Sequence, residues 1–168
     1  MSKEMLASKL SVILSDLVTY KFASQGFHWN VKGPQFIQFH DFFGELYEDA
    51  ESAIDPLAEN IRKLGFDAPV TLSDYVSMAS MEPNPTSSDP IDQSRELYNL
   101  NANLVRCLLE AFAMASELNE QGVADFLAGR VDVHTKYHWQ LGTIIGADKT
   151  SISEISVTDM ASEYMSDY

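Results

Sequence analysis

The sequence predicts an all-α domain of four long helices, with a short extra helix in a long connection between the second and the third. Apolar residues recur at spacings of three and four over long stretches, which is the period of an amphipathic helix. Gly, Pro, Asn and Asp cluster between these stretches, where they end helices and form turns. With 168 residues, the chain is long enough to bury a core, and we expect residues 1–168 to form a single domain.

The first helix is predicted over residues 4–30 and the second over residues 34–64. Gly33-Pro34 marks the start of the second helix, because proline suits a first helical turn and is poorly tolerated further inside. Pro56 nevertheless lies inside this helix, where it removes a backbone donor, and we expect a local kink. One stripe of the first helix is formed by Leu6, Leu10, Ile13, Leu17, Tyr20, Ser24 and Phe27.

A long connection follows, with a short helical piece at residues 73–80 and then the turn-rich stretch EPNPTSSDP. A bundle in which one crossover joins parallel neighbours needs a link of this length. The third helix is predicted over residues 90–119 and the fourth over residues 123–145, with a stop at Asn119–Gly122. The Ser/Thr-rich, acidic tail 147–168 has no clear period, and we predict that it is largely extended or mobile.

Charge and cysteine content limit the classes of function. The net charge of −14 repels nucleic acid and anionic membranes and attracts cations. No apolar run approaches the ~20 residues of a membrane span, and no targeting segment is evident. The single cysteine, Cys107, excludes an internal disulfide and suits a reducing compartment, so we expect a cytoplasmic protein. Because Cys107 lies in an apolar helical run, we expect a buried structural thiol.

Four candidate metal ligands lie in one stretch: His28, His40, Asp55 and Glu59. His40 and Asp55 are about 22 Å apart along a straight helix, whereas a metal–ligand bond is only ~2 Å long, so these two cannot bind one ion within the same helix. An antiparallel copy of this helix, crossing near Glu48, would place Asp55 and Glu59 opposite the other chain's His40, with His28 in reach. The spacing therefore predicts a metal site shared across a two-fold dimer, with two sites per dimer.

The stretches HWNVKGPQFIQFHDFF and IDPLAENI resemble the ferroxidase signature of the Dps family, the mini-ferritins. The family pattern is a His, a second His twelve residues later, an Asp fifteen residues after that and a Glu four residues further on. His28, His40, Asp55 and Glu59 match it, and Trp29 follows the first His. The resemblance covers nearly the whole chain. It implies a ferritin-like four-helix bundle and a hollow dodecamer of two-fold dimers, which oxidises Fe(II) with hydrogen peroxide or dioxygen and stores the ferric mineral.

By this resemblance, iron is the expected metal and each ligand has an expected role. His28 and His40 would hold iron from one subunit, and Asp55 and Glu59 would hold it from the other. Trp29 would lie beside the iron site, where an oxidisable ring can intercept one-electron by-products.

The predicted fourth helix carries two further candidate groups. His134 and His138 are one turn apart, a spacing that can bind a transition metal; the alternative is a pair of hydrogen-bonded histidines inside a bundle. Asp125 and Asp132 lie on one side of the same helix. In the resembling family, acidic residues at the start of this helix line three-fold pores that draw Fe(II) inward; a solvated charged face is the alternative.

Alternative functions follow from the same ligands and the same family. A nucleoid-binding protein usually needs a mobile basic arm, but the N-terminus offers only Lys3 and Lys9, offset by Glu4. Twelve chains at −14 each would carry about −168, so we expect no DNA binding. A shell that binds zinc or another divalent ion without turnover stays open, because Zn(II) accepts the same ligands. Larger ferritins use Glu-x-x-His pairs within one bundle, and no histidine here has Glu three residues before it.

Overall fold

Four long helices and one short helix make up residues 1–147, the part of the chain that this computed structural model describes. The helices are α1 (Lys3–Asn30), α2 (Phe36–Lys63), α3 (Leu72–Met78), α4 (Pro90–Glu117) and α5 (Gln121–Ile144). Helix α1 packs against α2 and α4, α4 packs against α5, and the short α3 lies against α1. The predicted all-α bundle with an extra helix in its long connection is confirmed. From residue 148 onward, the predicted tail lies outside the described residues.

The core forms where the apolar stripes of the long helices meet. All seven residues of the predicted α1 stripe are buried. Cys107 is 1% exposed, so the prediction of a buried thiol is confirmed, and its burial raises the pKa of the thiol. None of the helices within residues 1–147 is both long and apolar enough to cross a membrane. The largest fully buried side chains are Tyr20, Phe43, Leu6, Leu10, Ile13, Leu14, Leu46, Leu57, Ile61, Leu97, Leu104 and Leu127.

Helix α2 begins two residues later than predicted, because Gly33 turns the chain in front of it. Gly33 has a φ of 124°, which residues with a side chain rarely adopt. Phe36 donates its N–H to the Gly33 carbonyl oxygen at 3.1 Å, and the helix starts there. It then runs without a break through Pro56. In the turn that follows the proline, the Asn60 side-chain amide donates to the Pro56 carbonyl oxygen at 2.9 Å.

The predicted stop at Asn119–Gly122 contains the boundary between α4 and α5, and Asn119 makes the break. Asn119 has a φ of 58°, the left-handed conformation that commonly ends a helix. Helix α4 therefore ends at Glu117 instead of at residue 119. Because Asn119 already makes the break, Gly122 joins the first turn of α5, which begins at Gln121 instead of at residue 123.

The crossover between α2 and α4 is fastened to the bundle at Asp16, a fully buried residue of α1. Ser80 donates both its backbone N–H and its Oγ–H to the Asp16 carboxylate, each at 2.6 Å. These bonds take the chain away from helical geometry, so α3 ends at Met78 instead of at residue 80. Asn103 of α4 donates to Ser80 Oγ at 2.9 Å. Burial raises the pKa of the Asp16 carboxyl group, and the bonds from Ser80 act in the opposite direction.

A buried polar network is centred on His134, which is fully buried on α5. His134 Nδ1 donates to Asn101 Oδ1 at 2.7 Å, and Asn101 Nδ2 donates to the His134 carbonyl oxygen at 2.8 Å. Arg130 donates to His134 Nε2 at 3.0 Å and makes two bonds to the Asp49 carboxylate of α2, at 2.5 and 3.1 Å. A guanidinium can only donate, so Nε2 is the acceptor and His134 is a neutral imidazole with its proton on Nδ1. Burial, together with the Arg130 charge, lowers the pKa of His134 to about 3.

We predict that His134 makes the folded protein lose stability on acidification. In an unfolded chain a histidine has a pKa of about 6.5, whereas the folded-state pKa of His134 is about 3. The stabilisation is therefore fully present above about pH 6.5 and is lost as the pH falls towards 3, because only the unfolded chain binds the proton. Thermal unfolding midpoints, measured at one protein concentration over this range, should fall less steeply for His134→Leu than for the wild-type protein.

The matched control is Asn101→Leu, which loses the same hydrogen bond but keeps the imidazole. Both variants should unfold at lower temperature than the wild-type protein at neutral pH, because each leaves a buried polar group without its partner. Only Asn101→Leu should keep a steep decline on acidification. Equal slopes for His134→Leu and the wild-type protein would contradict this account.

Candidate metal centre

The C-terminal end of α1 and the first turns of α2 bring His28 and His40 together. The connection between the two helices is only five residues long, Val31–Gln35, so the helices turn back on each other directly. The two imidazole rings stack, with centroids 3.6 Å apart and an angle of 22° between their planes. Both side chains are partly exposed. Residues twelve apart in the sequence thus form one compact pair of imidazole rings.

Each imidazole is held by the backbone of the other histidine. His28 Nδ1 lies 2.6 Å from the His40 carbonyl oxygen, and His40 Nδ1 lies 2.8 Å from the His28 carbonyl oxygen. A carbonyl oxygen can only accept, so both Nδ1 atoms carry a proton and both donate. In the neutral imidazole the lone pair is then on Nε2, the atom that is left for a metal ion.

The position of His28 in α1 explains why this exchange forms. The last four carbonyl groups of a helix have no partner within the helix, and α1 ends at Asn30. The Val31 N–H satisfies the Phe27 carbonyl oxygen, whereas the Lys32 N–H donates to Ser88 of the crossover. The His28 carbonyl oxygen is therefore available, and the His40 ring fills the place of the missing helical donor.

Aromatic side chains and a glycine frame the histidine pair. Phe36 stacks on His40 with centroids 5.0 Å apart, and Tyr47 meets His28 edge to face at 5.2 Å. Gly44 is buried, and a Cβ atom at this position would lie 3.4 Å from His28 Nδ1. Phe36, Gly44 and Tyr47 had no role assigned from the sequence. The available signal was their spacing, because residues 36, 40, 44 and 47 follow one face of a helix.

Trp29 follows His28 at the end of α1, and its indole is 64% exposed in the single chain. The ring belongs to no stacked or edge-to-face pair within residues 1–147. Its predicted place beside an iron site stays a prediction.

The carboxylates Asp55 and Glu59 lie far along α2 from the histidine pair. Both are exposed, one turn apart, and neither takes part in a hydrogen bond or ion pair within the described part of the chain. At 1.5 Å per residue, they stand roughly 22 and 28 Å along the helix from His40. No three His, Cys, Asp or Glu side chains in residues 1–147 form a group able to hold a metal ion. The two groups of candidate ligands therefore cannot meet within one chain.

The other candidate ligands lie on α5. Both ring nitrogens of His134 are occupied by the network around Asn101 and Arg130, which favours the hydrogen-bonded alternative. His138 stacks on Tyr98 with centroids 4.1 Å apart, and its Nδ1 is buried without a partner among the described residues. Burial lowers the pKa of His138.

Asp125 and Asp132 are exposed on α5. Neither is part of an ion pair within residues 1–147. Their predicted role in a pore depends on neighbouring chains and stays a prediction.

Known proteins are similar to this chain in sequence and in fold. The family model of the ferritin-like domain matches residues 8–151. A DNA protection during starvation protein of Brevibacillus brevis is 29% identical over 139 residues, which span 83% of this chain and 93% of that protein. A crystal structure of a Dps protein from Bacillus brevis superposes with a TM-score of 0.81 at 28% identity, over 85% of this chain and 96% of that one.

A second crystal structure gives the same result. The Dps protein of Vibrio cholerae, described as a member of a broad superfamily of ferritin-like diiron-carboxylate proteins, has a TM-score of 0.81 at 25% identity, over 84% of this chain and 89% of that one. This chain therefore belongs to the ferritin-like family and, within it, to the Dps proteins.

Proposed function

We propose that this protein is a mini-ferritin that oxidises Fe(II) at sites shared between two chains and stores the ferric product inside a hollow dodecamer. The observation that carries the proposal is the histidine pair, in which two Nε2 atoms are left for a metal by backbone bonds at both Nδ1 atoms. Mixed imidazole and carboxylate ligands suit Fe(II). The description of the Vibrio relative as a diiron-carboxylate protein supports iron as the substrate.

In the proposed site, His28 and His40 of one chain face Asp55 and Glu59 of a second. The carboxylates offset the charge of the bound iron, and the fixed imidazoles keep their lone pairs directed without rearrangement. Each Fe(II) gives up one electron, so two ions together reduce one hydrogen peroxide molecule, with two protons, to two water molecules. Dioxygen is the alternative oxidant. Trp29, next to His28, would intercept one-electron by-products.

Exposed apolar side chains support assembly with further copies. Val70, Leu72 and Val76, in and next to α3, are 85%, 73% and 80% exposed, and no residue of α3 is buried. Ile37, three residues before His40 on α2, is 63% exposed. Val70, Leu72 and Val76 belong to one short segment, and exposed apolar groups that lie together commonly mark an interface. They agree with a two-fold dimer as the unit from which the dodecamer is built.

We expect catalytic turnover, which separates an iron oxidase from a shell that only binds divalent metal. The protein is loaded with Fe(II) without oxygen, and hydrogen peroxide or dioxygen is then added while the ferric absorbance and the consumed oxidant are recorded. Wild-type protein should oxidise iron much faster than buffer, and Glu59→Ala should lose this acceleration. Glu117→Ala, at an exposed carboxylate on α4, is the control and should behave as wild type. Iron binding without faster iron oxidation would contradict the proposed oxidase and favour a shell that only binds divalent metal.

We predict that two defective chains restore each other's site. His40→Ala and Glu59→Ala homo-oligomers should each lose rapid oxidation. In an enforced heterodimer of the two, one site carries both lesions and the other has all four ligands, so about half of the wild-type rate should return if sites act independently. If verified heterodimers do not recover rapid oxidation, the site lies inside one chain, because each chain of the heterodimer then carries a lesion in its own site.

We predict no binding to duplex DNA at physiological salt. Phosphate contacts require clustered basic side chains, whereas this chain has 25 acidic and 11 Lys and Arg residues. A gel-shift assay with linear DNA at ~150 mM salt should show free DNA only. A retained complex under these conditions would contradict the charge argument and favour a nucleoid-binding role.

A further inference from the structure

Phe36 is the first residue of α2, and the turn in front of this helix places its ring over His40. The Phe36 N–H donates to the Gly33 carbonyl oxygen at 3.1 Å. The φ of 124° at Gly33 permits this close turn, because residues with a side chain rarely adopt it. Phe36 and His40 are one helical turn apart and share a face of α2. The phenyl ring therefore reaches the imidazole through local geometry alone.

The rings of Phe36, His40 and His28 form one continuous stack. The centroids of Phe36 and His40 are 5.0 Å apart with 29° between the ring planes, and those of His40 and His28 are 3.6 Å apart with 22° between the planes. Phe36 and His28 make no ring pair with each other within residues 1–147, so they cover opposite faces of the same imidazole. His40 is thus the middle ring of three.

This stack adds a constraint that the hydrogen bonds of the histidine pair do not supply. His40 Nδ1 donates to the His28 carbonyl oxygen at 2.8 Å. That bond fixes one edge of the imidazole, but the ring could still tilt about this edge. A ring on each face restricts the tilt. Because the lone pair on Nε2 lies in the plane of the imidazole, Phe36 contributes to the direction in which His40 presents it.

Core packing does not account for the position of Phe36. Its side chain is 39% exposed, whereas Phe39, on the same helix, is 8% exposed and belongs to the core. Within residues 1–147, Phe36 is neither a buried core residue nor one of the partly buried apolar residues packed against the core. A ring that stays this exposed contributes less to folding than a buried one. Its contact with His40 is therefore the feature to explain.

The face of the phenyl ring also favours the metal-bound form of the imidazole. A metal ion at Nε2 would draw electron density from the His40 ring, which then gains positive character. The face of an aromatic ring is negative and attracts positive groups. Phe36 would therefore stabilise the metal-bound imidazole more than the metal-free one, and this difference adds to the affinity for the ion.

We propose that Phe36 is a positioning residue of the histidine pair, which holds His40 in the plane that metal ligation requires and raises the affinity for a divalent metal ion. The inference rests on the proposed role of His28 and His40 as metal ligands. It does not depend on the oxidation of iron.

The probe is Co(II), which accepts the same kinds of ligand as Fe(II) and has visible absorption bands that depend on the direction of its ligands. It is titrated without oxygen into the assembled full-length protein. Phe36→Leu keeps an apolar side chain but has no aromatic face, so it should bind Co(II) about three- to tenfold more weakly and with altered bands. Phe36→Tyr keeps the face and should restore the wild-type affinity and bands.

Phe112→Leu is the matched control, at a ring on α4 that is 37% exposed and lies outside the proposed metal centre. It should bind Co(II) as the wild-type protein does. Without metal, Phe36→Leu should sediment as the wild-type assembly and unfold at a temperature similar to that of Phe112→Leu, because neither ring belongs to the buried core.

Three results would overturn the inference while the wild-type protein still binds Co(II). These are undiminished affinity in Phe36→Leu, an equal loss of affinity in Phe36→Tyr, and failure of metal-free Phe36→Leu to fold or assemble, which would assign the ring to the fold or to an interface. Absence of Co(II) binding by the wild-type protein would contradict the proposed metal centre itself, and this inference with it.

Discussion

The exchange of hydrogen bonds between His28 and His40 is the constraint from which the rest of the site follows. One of these bonds satisfies a carbonyl group that the end of α1 leaves without a helical donor, so the site and the helix end stabilise each other. The same bonds fix the tautomer of both rings. In the proposed site, the backbone carbonyl groups would orient the two imidazoles, as carboxylates or backbone carbonyls do for histidine ligands in many metal sites. Removal of either ring would disturb the α1–α2 turn as well as the proposed metal site.

In the proposed site, helix α2 separates two kinds of candidate ligand. Its first turns carry an imidazole and its later turns carry Asp55 and Glu59, so nitrogen and oxygen ligands lie at opposite ends of one rigid element. Under this proposal, a mixed site forms where two copies of α2 run antiparallel. Metal binding and association of chains then depend on each other, because a bound ion would contribute to holding the dimer together.

The sequence predicted the helices and the pairing of the histidines, since these depend on local periodicity and on a short turn. The sequence was less informative where a feature depends on which helix faces pack against each other. The predicted stop spanned Asn119–Gly122, and only the structure shows that Asn119 makes the break while Gly122 joins α5. His134 and His138 are one helical turn apart. The two ring nitrogens of His134 are nevertheless bonded to Asn101, on α4, and to Arg130, one turn earlier on α5. Such contacts are set by the packing of whole helices.

The Asp16–Ser80 contact has a consequence for the order in which the chain folds. It joins residues 64 positions apart, whereas α1 and α2 are joined by a five-residue turn. Short loops close at less entropic cost and sooner, so the α1–α2 hairpin can form while Asp16 is still hydrated. When the crossover packs, the Asp16 carboxylate loses its bound water and accepts hydrogen bonds from the two donors of Ser80 instead. The crossover would thus be among the last parts of the chain to pack. A chain in which it has not packed would be recognisable by exchange of the Ser80 amide hydrogen.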